Sequence, residues 1–337
     1  MFIVLLLGNM KKGRCYSLLL VVTFFLSIVS VSLSGTVSRS QPSQNVSKEG
    51  WYYLPAYPNY SPQGLPDFDQ KQDNWKAHKG IYRLIGGLWN FCAPSSLADI
   101  FWWFDSKHED PHGFPGDGLD SYPLVRDLNA PEPPTPGPNT DDHNFNNVND
   151  LQTRWRLGRG GKELIETLAW YCNTNFCQFP LLRLSAGTWA KYLEQGAKQW
   201  IQDAGLEEHY RVEAIWKPEF SLIVDRVQHN SGVILNLLLY NSNAIFFETF
   251  LGHYVAVAGI NPNGSIALSD PFQNEANPTP TPREHNDANV VSYDIYLLNF
   301  SSPFPDKASW WIPEYFNFVI KRFGGIPQFA LIISEIE

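Results

Sequence analysis

Positive charge is scarce in this 337-residue chain, where 25 Lys and Arg stand against 34 Asp and Glu for a formal net charge of −9. With a pI near 5.4 and no basic cluster beyond the first residues, the chain lacks the positive face that binding to nucleic-acid phosphates requires. Long apolar runs are also missing after residue 31. The apolar stretches near 233–239 and 253–260 have strand length, so no second segment is long enough to cross a bilayer. Internal repeats are absent. Cysteine is sparse, with four residues, and methionine sparser, with two. What is abundant is apolar and aromatic material: 44% hydrophobic residues, only 18% charged, and twelve Trp, which is ample for a folded core and excludes whole-chain disorder.

The N-terminus reads as an export signal. Lys11, Lys12 and Arg14 precede an apolar stretch over 17–31, and the small residues Ser32, Ser34 and Gly35 suit peptidase cleavage. Met10-Lys-Lys gives the more usual start of such a segment. The expected organisation is therefore a signal peptide over 1–35, an extended polar leader over 36–80, and one domain over 81–337, secreted, periplasmic or at the cell surface. No membrane span remains after signal cleavage.

Cleavage leaves Cys92, Cys172 and Cys177, an odd number for an oxidising compartment. Cys172 and Cys177 are close enough to bridge across the intervening Asn-Thr-Asn-Phe turn. Cys92 is then the odd thiol, buried or put to use.

Residues 93–104 place Leu97, Ile100, Phe101 and Phe104 at helical spacing, with Pro94 in the tolerant first turn and Cys92 at the N-terminal edge. Helical patterns recur at 161–172, 188–203 and 218–229. After Gly232 the period becomes that of strands, at 233–240, 253–260, 265–270, 290–298, 315–322 and 328–333. Asn261-Pro-Asn-Gly makes a tight hairpin between two of them. Helices first and an antiparallel sheet second predict an α+β fold. The proline run at 131–138 excludes regular structure there.

A thiol attacks as its thiolate, which a helix N-terminus and a neighbouring imidazole both favour. Cys92 meets the first condition. For the second, His253 opens one strand, and the hairpin returns the chain to Asp270 at the matching end of its neighbour. A thiol, an imidazole and an orienting carboxylate are the parts of an acyl-transfer site. Taken singly, each has a plain structural use: a small buried residue, a core histidine, and a turn residue before Pro271.

The three blocks Asn90-Phe-Cys92-Ala-Pro-Ser-Ser-Leu-Ala, Gly252-His253-Tyr-Val-Ala-Val-Ala-Gly and Leu-Ser-Asp270-Pro-Phe resemble the bacteriocin-processing-peptidase-like branch of the papain-fold cysteine peptidases. The resemblance covers 80–105 and 250–275. It implies a papain-like fold, with an N-terminal helical half carrying the Cys helix packed on a C-terminal antiparallel sheet half. It also implies Cys92 as nucleophile, His253 as general base and Asp270 as the residue orienting it, acting without a cofactor on a peptide or protein substrate. One departure stands out. Where these peptidases carry an oxyanion Gln, about six residues before the Cys, this chain has Gly86, and Asn90 is the substitute amide within reach. Loss of such a donor costs about 10²–10³ in rate.

Two other expectations share the scaffold: transglutaminase-like acyl transfer to an amine, and a binding or surface protein with a weakened site. Two polar loops, Asp141-Asp142-His143 and His285-Asn286-Asp287, lack the spacing of a calcium loop or the helical pairing of a catalytic zinc site, and we read both as solvated or loop-pinning.

Overall fold

The computed structural model describes residues 50–58, 61, 64–70, 75–77, 88–109, 121–125, 164–175, 187–241, 252–272, 293–318 and 321–336. The segment 1–35, Gly86, Cys177, and the 141–143 and 285–287 loops lie outside them.

The first long element is α1 (Cys92–Lys107), in which all but Trp102 and Lys107 are buried. A helix buried on nearly every side runs through a core rather than over its surface. The helices α2 (Leu164–Tyr171) and α3 (Ala190–Asp203) follow; α3 turns Leu193, Ala197, Trp200 and Ile201 inward at helical spacing. Trp200 stacks on Phe101 of α1 and donates its indole N–H to the Leu124 carbonyl at 2.6 Å. Each such side chain contributes about 1.5–3 kcal/mol by leaving water.

Against the helices lies an antiparallel sheet, so the fold class is α+β. Its main path runs β4 (Tyr210–Trp216), β10 (Lys321–Glu335), β5 (Gly232–Asn241), β6 (Gly252–Asn261), β7 (Ser265–Ser269) and β8 (Tyr293–Leu297). The short helix α4 (Phe220–Gln228) links β4 to β5 and buries Phe220, Ile223 and Val227. Residues 315–322, read from the sequence as one strand, are instead the junction of β9 (Ile312–Phe318) with β10. Phe318 pairs with Lys321, so the chain reverses there. The segment Tyr210–Trp216, to which the sequence reading assigned no element, is β4.

The strand β10 pairs with three others, as β6 also does. One edge of β10 pairs with β5 over 323–333, and the other takes β9 over 321–325 and β4 over 329–335. Pro327, which cannot donate to a ladder, sits at the register shift on the β5 side. Beyond β8, Asn299 bridges to Trp311, so the sheet curls back toward β9. Helix α1 packs on β5 and β6 so closely that a Cβ at Gly232 would lie 2.3 Å from an Ile100 methyl carbon. Only glycine fits that contact.

The described residues between 50 and 70 lie across this body as a strap. β1 (Tyr52–Tyr53) pairs with Ile260 and Gly259 of β6. Pro55 accepts the Trp103 indole N–H at 2.8 Å, Ser61 bonds Ser106 at 2.9 Å, and the Phe68 N–H reaches Asp99 Oδ1 at 2.9 Å. Leu54, Leu65 and Phe68 are buried in the common core. The domain therefore begins well before residue 81. The remaining strands, β2 (Lys76–Ala77) and β3 (Leu88–Trp89), form a small ribbon leading into α1.

Candidate active site

Cys92 is the first residue of α1, capped by Phe91 with no side-chain hydrogen bond. The first intrahelical bond runs from the Ser95 N–H to the Phe91 carbonyl at 3.0 Å. The N–H groups of Cys92 and Ala93 precede it, and Pro94 has none. The positive end of the helix dipole thus falls on a thiol that is 7% exposed.

His253 sits at the start of β6, opposite Leu237 of β5. Its Nε2 lies 2.7 Å from Asp270 Oδ1, and the Cys92 side chain is close enough to act on its ring electrostatically. With Nε2 committed to the carboxylate, Nδ1 is the nitrogen left to serve the thiol. Burial acts to lower the His253 pKa, but the charge and hydrogen bond of Asp270 outweigh it. With a further contribution from Cys92, the value rises to about 10. Asp270 moves the other way: burial raises it, yet His253, Tyr315 and the Phe272 N–H together hold it below the usual carboxylate value. The structure therefore brings Cys92 into the electrostatic surroundings of the His253–Asp270 pair.

A single irregularity puts Asp270 on the correct side. The β6–β7 hairpin closes at Asn261–Gly264, where Gly264 adopts φ +99°, and pairs Asn261 with Ser265. Continued unchanged, that register would set residue 270 opposite Ala256, on the face away from His253. A shift between Val257 and Gly259 makes Ala256 pair with Ser269 instead. Asp270 then falls opposite residue 255, on the face that carries His253. Its Oδ1 also accepts the Phe272 N–H at 2.9 Å, an Asx turn over Pro271. The turn role and the imidazole contact coexist in one side chain.

Asn90 is buried two residues before Cys92, but its amide is paired with Asn175. Asn90 Nδ2 donates to Asn175 Oδ1, and Asn175 Nδ2 returns a bond to Asn90 Oδ1 at 3.2 Å. Asn175 Oδ1 also accepts the Gly187 N–H at 3.1 Å. The pair thus ties the start of α1 to the turn after α2 and the approach to α3. Cys172 is buried with a free thiol that burial pushes well up, against the α3 backbone at Gly196. The bridge expected between it and Cys177 involves a residue outside the described set.

Two features had no signal in the sequence. Tyr315 of β9 donates its hydroxyl to Asp270 Oδ2. Beside the site, Asp67 of the strap and Asp99 of α1 are both buried around Ser269, which lies 2.9 Å from Asp67 Oδ1 and 3.4 Å from Asp99 Oδ2. Burial, followed by the Asp99 charge, pushes Asp67 well above its usual value. Burial does the same to Asp99 against the opposing hydrogen bond from Phe68. Among the described residues, no group of three or more His, Cys, Asp or Glu side chains is arranged to hold a metal ion, and no helix is long and apolar enough to cross a membrane.

Chemically, Cys92, His253 and Asp270 offer a nucleophile, a base and an anion that keeps the base oriented. No protein-family model matches this chain, and no curated protein sequence matches it, so its own residues and their geometry carry the functional reading.

Proposed function

We propose that this protein is a papain-like thiol hydrolase that cleaves peptide or isopeptide bonds through an acyl-enzyme on Cys92. The observation that carries the reading is a buried carboxylate 2.7 Å from one nitrogen of His253, whose ring also feels the Cys92 side chain at the start of α1. In this mechanism His253 Nδ1 takes the thiol proton, and the sulfur attacks the substrate carbonyl carbon. Backbone N–H groups at the start of α1 face the developing oxyanion. The imidazolium returns the proton to the leaving amine, and the C–N bond breaks. Water, deprotonated by His253, then opens the thioester and frees the product acid. The 17–31 segment, read as an export signal, supports a location outside the cytoplasm, and the substrates of this reading are peptides or proteins.

A second reading is favoured by one observation. Asn90, the substitute for the missing oxyanion Gln, has its amide engaged with Asn175. A binding protein that keeps the scaffold and has lost turnover would tolerate that engagement.

The rate of Cys92 alkylation by iodoacetamide from pH 4 to 9 separates the two. The hydrolase reading expects rapid labelling that persists below pH 7, drops about tenfold or more in His253→Ala, and vanishes in Cys92→Ser. An ordinary thiol profile, unchanged by His253→Ala, would leave the binding reading.

A further inference from the structure

We infer that Tyr315 is a positioning residue for the proposed triad, acting through Asp270 on His253; the inference rests on the hydrolase reading above. Asp270 receives donors from three separate segments. His253 Nε2 at 2.7 Å and the Phe272 N–H at 2.9 Å converge on Oδ1, and the Tyr315 hydroxyl takes Oδ2. The first two bonds fix one oxygen only. The terminal torsion of an aspartate is broad, so bonds to one oxygen alone let the carboxylate rock about its mean angle. Tyr315 removes that freedom from the opposite side.

The tyrosine is itself held fast. It is 2% exposed, its ring lies 5.2 Å from that of Tyr296 on β8 and 6.2 Å from His253, and Gly325 of β10 packs against it. Burial, reinforced by Asp270, keeps its hydroxyl protonated far above the ordinary range, so it acts as a donor throughout the working pH range. The β9–β10 reversal, which has no part in the Cys92 or His253 segments, thereby reaches the reacting groups.

The test is the pH profile of Cys92 alkylation in the wild type, Tyr315→Phe, Asp270→Ala, the double variant and His253→Ala, with near-ultraviolet circular dichroism monitoring packing. Phenylalanine retains the ring and removes only the donor. The expected result is a shift of the rising limb to higher pH by about 0.5–1 unit in Tyr315→Phe, or roughly 3–10-fold slower labelling at a fixed pH on that limb. In the Asp270→Ala background the same change should add less than about twofold, because its route is gone. A profile unmoved by Tyr315→Phe but moved by Asp270→Ala and His253→Ala overturns the positioning role and leaves the triad standing. Equal effects of Tyr315→Phe in both backgrounds overturn it as well, since a purely structural role does not pass through Asp270. If His253→Ala changes nothing, the triad and the positioning role fall together.

Discussion

At the scale of single residues, the charged pair of the site should govern how stability responds to pH. His253 is raised from 6.5 to about 10, so the stability it contributes is fully present below about pH 6.5 and is lost as pH rises toward 10. Asp270 is lowered from 3.8, so its contribution is present above that value and disappears on acidification. From these two groups the melting temperature should be highest between roughly pH 4 and 6.5 and decline from pH 6.5 to 10, with a shallower alkaline decline in Asp270→Ala. Calorimetry across that range checks it; an alkaline limb equally steep in the variant would show that the pair is not its source. Cys92, His253 and Asp270 were legible in the sequence because each interrupts or ends an apolar pattern with a reactive group. Tyr315 was not. It is one of 15 tyrosines, and nothing within its own segment marks the one that meets an aspartate 45 residues away.

At the scale of elements, the seam between strap and α1 carries two buried carboxyls where most cores would carry none. Both Asp67 and Asp99 are raised, so the folded chain holds protons that the unfolded chain releases, and this seam loses stability as pH rises above about 4. The groups facing Asp67 are Asp99 from α1, Asp270 and Ser269 from the end of β7, and Asp294 from β8. Asp99→Asn keeps an acceptor for the Phe68 N–H and removes one acid. It should therefore raise stability at pH 8 by about 1 kcal/mol and reduce the slope between pH 5 and 8. Chemical denaturation at both pH values measures this, and a clear loss at pH 8 would show that the shared arrangement is stabilising as it stands. Most elements were legible because their periodicity is strong. The exceptions have physical causes. β4 alternates Tyr210, Val212, Ala214 and Trp216 with Arg211 and Glu213, a visible pattern weakened by an edge position in which most of its residues are only half-buried. The β9–β10 reversal and the shift near Ala258 are set by pairing with distant strands, which local sequence does not encode.

At the scale of the whole molecule, the strap decides where the folded unit starts. Its Leu54, Leu65 and Phe68 side chains, each worth about 1.5–3 kcal/mol of burial, are shared with the core that the site stands on. A protein beginning at residue 50 should melt as the longer chain does, whereas one beginning at residue 71 should lose cooperative melting or melt more than about 10 °C lower. Thermal unfolding of the two truncations decides; equal melting temperatures would make the segment a detachable cover.

The many partnerships of β10 have a bearing on biosynthesis. The ribosome makes β4, β5 and β9 before the strand that joins them, so each carries an open edge until translation has passed Glu335. Tyr315 meets Asp270 only when β9 is docked, so a nascent chain can carry the thiol and the imidazole long before it can hold them in register. The full arrangement around Asp270 is thus completed late, once β10 has been made to hold β9 in place.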